Sequence, residues 1–128
     1  MNFIVDLVIY PYDIWFSMGE SDGVFTRTIS ERLPDEHFED LKEDIICSLP
    51  AECRGRTYHH LIGGQTIIRL PKKPKTAQEF GTMAHEIFHA VDFITRRIGL
   101  RLTPNSDEAF AYLIGYVTEQ VMIKLSNK

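Results

Sequence analysis

At 128 residues, with 44% hydrophobic and 25% charged residues, the chain has the size and balance of one compact folded domain, with no room for a separate regulatory domain. A formal net charge of -4 argues against a general nucleic-acid binder, and no run reaches the roughly 20 apolar residues that cross a bilayer, so neither nucleic acid nor membrane is an expected partner. Cys47 and Cys53 lack Cys-x-x-Cys spacing, and one bridge over so short a loop would not frame a fold, so both read as reduced thiols of a cytoplasmic protein.

The opening run is apolar but lacks the basic flank of a signal peptide and contains Asp6, so residues 3–10 read as a buried strand. Residues 12–18, beyond Pro11, continue it or form a second strand, and residues 19–23 are turn-rich. Residues 24–29 are expected as a further short strand, although their Thr and Arg content makes the assignment ambiguous. Helical signals start at Pro34, with Asp35 and Glu36 suited to the helix dipole, and Phe38, Leu41, Ile45 and Leu49 recur at helical spacing up to Pro50. The acids of this helix, Glu39, Asp40, Glu43 and Asp44, fit a solvated outer face better than a metal site.

Residues 56–62 and 65–70 read as two strands joined through Gly63-Gly64, a dipeptide that tolerates the positive φ of a tight hairpin turn. Arg69, Lys72, Lys73 and Lys75 are expected in a solvated loop with Pro71 and Pro74, whereas Arg96, Arg97 and Arg101 suit a helix C-terminus. The best-marked helix opens on the capping box Thr76-Ala77-Gln78-Glu79 and stops near Gly99, with Phe80, Ala84, Ile87, Val91, Ile94 and Ile98 as its apolar stripe. After Pro104, residues 107–125 form a last helix with the stripe Phe110, Leu113, Val117, Val121 and Leu125. The expected fold is a single α+β domain. A small, mostly antiparallel sheet carries a β-hairpin that leads into the motif helix, which packs against the C-terminal helix and one earlier helix.

That motif is His85-Glu86-Ile87-Phe88-His89. Histidines four residues apart project from one helix face about one turn apart and can grip a single ion; two neutral nitrogens suit Zn2+. Glu86 lies roughly 100° further round, the place for a general base that faces a metal-activated water without becoming a ligand. A hydrolytic zinc site needs a third protein ligand, for which His37, His59, His60 and Glu108 are candidates. Glu108 is the best placed, at the start of the next helix, although Asn105-Ser106-Asp107-Glu108 is also a capping box. His59 and His60 point to opposite strand faces, so no more than one of them can reach the site. Asp92, three residues after His89, either accepts the other N–H of that histidine as an outer partner or pairs with Arg96. Tyr112, one turn after Glu108, is a candidate oxyanion stabiliser, with core packing as its other reading.

Around these residues the sequence resembles the gluzincin zinc peptidases, whose signature is His-Glu-x-x-His followed by a glutamate ligand on the next helix. Eighteen residues separate His89 from Glu108, as in the large aminopeptidases of that group, and His89-Ala90-Val91 is similar to the thermolysin-like enzymes. The short chain looks like the minigluzincins and like small phage-type proteins with a Ser-Asp-Glu-Ala segment. The resemblance covers about residues 64–125 and is specific only at the metal motif. It implies a Zn2+-dependent peptidase acting on a peptide or protein, with Glu86 as base and His85, His89 and Glu108 as ligands. It further implies that residues 65–70 are an edge strand on which an extended peptide pairs. No aminopeptidase exopeptidase motif is present upstream. A non-catalytic, zinc-stabilised binding or regulatory protein on the same scaffold is the alternative.

Overall fold

The computed structural model describes residues 1–8, 10–46, 54–60 and 63–127, with the side chains of residues 43–46 excepted. The expectations for Cys47, Leu49, Pro50 and Cys53, for the packing of Ile45 and for the end of the strand at Ile62 therefore lie outside the described residues.

Strands β1 (Asn2–Asp6) and β2 (Asp13–Met18) form an antiparallel hairpin in which Phe3 stands opposite Phe16 and Val5 opposite Ile14. Period-two alternation turns these apolar side chains to one face, where the rings of Phe3 and Phe16 stack with centroids 5.0 Å apart. The first strand stops at Asp6, short of Tyr10. Asp6 accepts the Val8 N–H through its side chain, and Val8 takes φ +57°, a conformation that breaks the strand.

Strands β3 (Arg56–His59) and β4 (Thr66–Leu70) form the expected second hairpin, with Gly64 at φ +75° in the connection. β4 also pairs with β2, in parallel, so the sheet order is β1-β2-β4-β3. This overturns the expectation that residues 65–70 form an edge strand. All five residues of β4 are buried, and both of its backbone edges are taken. A nearly continuous apolar run such as Ile67-Ile68-Arg69-Leu70 belongs in the middle of a covered sheet. The edge beside the motif helix is β3.

Helices α1 (Asp22–Arg32) and α2 (Asp35–Ile46) cover one face of the sheet, and α3 (Ala77–Arg97) and α4 (Asp107–Ser126) cover the other. The larger core joins β1, β2 and β4 to α3 and α4; the smaller packs Phe25, Ile29, Leu33 and Leu41 on Tyr58 and Ile67. The fold is thus α+β, with two helices rather than one ahead of the second hairpin. Among the described residues no helix is long and apolar enough to cross a membrane.

Two further expectations change. Residues 24–29 are helical, not extended: Ser21 caps α1 by accepting the Val24 N–H at 3.2 Å, and Phe25 and Ile29, one turn apart, bury against the sheet. Arg69 is not in a solvated loop. It is 3% exposed within β4, where its Nη2 donates to Asp22 Oδ1 at 2.6 Å and its guanidinium lies 4.4 Å from the centre of the Phe25 ring. Lys72, Lys73 and Lys75 are exposed, as expected.

Candidate metal and catalytic site

The capping box at the head of α3 forms as expected, with Thr76 Oγ1 accepting the Glu79 N–H at 3.2 Å and donating to Glu79 Oε1 at 3.1 Å. Gly99, at φ +79°, follows the helix where a left-handed residue ends it. Met83, Ile87, Ala90, Val91 and Ile94 are buried, while Ala84 and Ile98, expected in the stripe, are exposed. At about 100° per residue, His85 and His89 fall roughly opposite the centre of that buried stripe. His85 is accordingly exposed and His89 half-buried.

The two imidazoles converge. Their Nε2 atoms are 3.1 Å apart, and the rings meet at 78° with centroids 4.7 Å apart. Nitrogens held at 2.0–2.1 Å by a tetrahedral zinc stand about 3.3–3.4 Å apart, so the pair has nearly the separation of one edge of that tetrahedron. In donor chemistry and spacing, these two side chains fit a divalent first-row cation.

Glu86 leaves the helix in a different direction and is 6% exposed beneath β3. The Thr57 hydroxyl lies 3.1 Å from Glu86 Oε1 and 3.2 Å from the Glu86 carbonyl oxygen, so one proton is shared between them. Gly55 allows the approach of chain to helix, because a Cβ there would meet Leu70 Cδ2 at 2.8 Å and Glu86 Cγ at 3.1 Å. Glu86 and His85 line a cleft of about 480 Å3 together with Arg54, Gln78 and Thr82. A carboxylate tied down at one oxygen on the wall of a cleft beside an imidazole pair is arranged to exchange a proton with a water or substrate there.

The other candidates lie elsewhere. Glu108 is exposed on the first turn of α4, and among the described residues no third His, Cys, Asp or Glu joins His85 and His89 in a group that could hold a metal. Nor is the alternative capping role of Glu108 realised: Ser106 is the N-cap residue, and it makes no side-chain cap bond to the helix. Its hydroxyl instead turns back to the Arg101 carbonyl and lies 3.0 Å from the Thr103 N–H. Asp92 accepts from Arg96 at 2.9 Å, the second of its two readings. Tyr112 is 76% exposed and lines a separate apolar cleft of about 520 Å3 with Leu7, Val8, Tyr10 and Leu113. It is neither packed in the core nor on the wall of the cleft at Glu86, which leaves the oxyanion role without a geometric basis.

His59 and His60 do face opposite sides of the sheet. His59 stacks on Phe93 of α3 at 4.7 Å, with Nδ1 3.0 Å from Thr66 Oγ1. Burial, reinforced by the charge of Arg97 and by His60, pushes its pKa down to about 4. His60 is buried on the α2 side, 2.9 Å from Asp40 Oδ2, with its ring tilted against that of His37 at 4.5 Å between centroids; His37 Nδ1 contacts Gln65. Asp40, read as part of a solvated face, thus ties α2 to the second hairpin. Thr57, Gly55, Arg54 and Gln78 were not singled out from the sequence. Only strand alternation, which sets Gly55, Thr57 and His59 on one face, could have marked two of them.

Comparison with protein-family models, with curated proteins and with solved structures found no match for this chain.

Proposed function

We propose that the chain is a zinc-dependent hydrolase of the gluzincin type whose substrate is a peptide or protein. The observation that carries this reading is the His85–His89 nitrogen pair at 3.1 Å beside a cleft whose wall includes His85 and Glu86, the Glu86 carboxylate being tied to Thr57. A purely structural zinc site needs no such carboxylate, so Glu86 favours hydrolysis over mere stabilisation.

His85 and His89 would hold the ion, and Glu108 is the carboxylate the sequence offers as a third ligand. When bound, zinc supplies a Lewis acid that polarises a water and the scissile carbonyl. Glu86 takes a proton at its carboxylate and returns it to the leaving amine, while Thr57 fixes which way that carboxylate faces. β3 ends the strand order of the sheet and is joined to Glu86 through Thr57, which sets a sheet strand beside the cleft. The reading places this chemistry in the cytoplasm.

The exposure of His85 and the lack of a third donor beside the imidazole pair among the described residues favour one competing reading, a zinc-binding protein without hydrolytic activity. Zinc titration and peptide-library hydrolysis separate the two. The expected result is that His89→Ala loses zinc, while Glu86→Gln keeps zinc and loses about 10²–10⁴-fold in turnover. Zinc retention by His89→Ala equal to the parent sinks the metal site. Unchanged zinc affinity in Glu108→Ala removes the third ligand, and zinc binding without hydrolysis of any peptide leaves the competing reading standing.

A further inference from the structure

The cleft beside Glu86 contains a cation that the metal chemistry does not use. Arg54 precedes β3 and shares the cleft wall with Gln78, Gly81, Thr82, His85 and Glu86. With the Gln78 amide oriented as its hydrogen-bonding requires, its oxygen accepts from both terminal nitrogens of Arg54, Nη2 at 3.0 Å. Gln78 itself sits in the first turn of α3, which the Thr76 cap anchors.

A neutral amide orients a guanidinium without cancelling its charge. Among the described residues no carboxylate is ion-paired with Arg54. Arginine carries five N–H donors in a planar fork that matches a carboxylate, and the Gln78 oxygen occupies only part of that fork. Room for a ligand exists beside it, because a Cβ added at Gly81 would meet nothing within 4 Å.

We propose that Arg54 is a substrate-binding residue that selects a carboxylate. The cleft takes a peptide whose free carboxylate, from an acidic side chain or from the C-terminus, meets Arg54 while the neighbouring peptide bond lies at His85 and Glu86. This rests on the peptidase reading of the same site. The charge is fixed in place before substrate arrives, so recognition costs little reorganisation.

Binding tests this without requiring turnover. The ¹⁵N-labelled full chain, with and without added zinc, is titrated with acetyl-Ala-Glu-Ala-amide, acetyl-Ala-Gln-Ala-amide, acetyl-tri-alanine as acid and as amide, and inorganic phosphate. The Gly55 and Gly81 amide resonances report occupancy. At least one carboxylate probe is expected to bind roughly five- to thirtyfold more tightly than its isosteric amide at low salt, the preference shrinking as salt rises. Whether the glutamyl or the C-terminal probe gains tells the source of the carboxylate. Arg54→Gln should bring the acid-to-amide ratio close to one, and Arg54→Lys should restore part of it.

Equal binding of acid and amide by the parent overturns the proposal, as does a preference that survives Arg54→Gln. So does inorganic phosphate that shifts both resonances as strongly as the best peptide, which would mark a bare anion site. Acid-selective binding by a chain that cleaves no peptide sinks the hydrolase reading and leaves Arg54 as the selector. Cleavage of neutral and acidic peptides with equal kcat/KM sinks the selector and leaves the hydrolase.

Discussion

Arg69 shows how much a single side chain can carry that its neighbours in sequence conceal. It stands three residues before Lys72 in a basic, proline-containing stretch, yet strand alternation turns it inward beside Ile67, toward Phe25 and α1. Its Nη1 has no hydrogen-bond partner, so its accommodation leans on Asp22, whose side chain is 46% exposed. Removing one member of such a pair leaves a buried, uncompensated charge, whereas replacing both can be nearly neutral. Asp22→Asn is therefore expected to cost about 2 kcal/mol, less than a fully enclosed pair because Asp22 borders solvent. Adding Arg69→Met to that variant should recover most of the loss. Urea unfolding of the parent and the three variants checks this; an Asp22→Asn protein as stable as the parent would show that the ion pair contributes nothing. The burial of Arg69 was illegible in the sequence because charge marks the start of a loop more often than the inside of a sheet.

At the scale of elements, α3 was legible because three independent signals agree: the Thr76 cap, the apolar stripe and the Gly99 stop. In α1 the signals compete. Val24, Phe25 and Ile29 are strand formers, and the helix depends on the Ser21 cap and on burying Phe25 and Ile29 one turn apart. Ser21→Ala should cost about 1 kcal/mol and Ser21→Asn almost nothing, as read by thermal or urea unfolding. Equal losses for the two would mean that the cap bond to Val24 is not what starts the helix. Helical phase also explains why Glu108 is not drawn to the histidines. It precedes Phe110 by two residues, which sets it roughly 160° from the buried stripe of α4, just as His85 lies roughly opposite the stripe of α3. Two helices packed through their stripes turn such residues outward. A spacing of eighteen residues carries no information about that convergence.

For the whole molecule, the sequence revealed the second hairpin, left open whether residues 12–18 continue the first strand or form another, and did not show how the strands join. β2 and β4 are parallel neighbours, a pairing that requires a long crossover, and α1 and α2 lie within that crossover on the opposite face of the sheet from α3 and α4. Moving β4 to the centre leaves β3 at the edge beside α3, which brings Thr57 to Glu86 and His59 to Phe93. His59 thereby couples the edge of the sheet to the motif helix, and its titration tests that junction. The folded ring has a pKa of about 4 against an ordinary value of 6.5, lowered first by burial and then by Arg97 and His60. Between those two values the unfolded chain binds more protons than the folded one, so stability rises with pH across the window and levels off above it. On acidification the contribution begins to fade below pH 6.5 and is lost by about pH 4. Because the ring is only half-buried, solvent screening limits the loss between pH 7.5 and pH 5.5 to about 1 kcal/mol. His59→Phe preserves a ring against Phe93 but has no proton to gain, so its urea-unfolding free energy should fall less than the parent's over the same interval. If the two proteins lose stability in parallel, His59 is not held neutral by the fold, and the packing of β3 on α3 is looser than its stacked geometry implies.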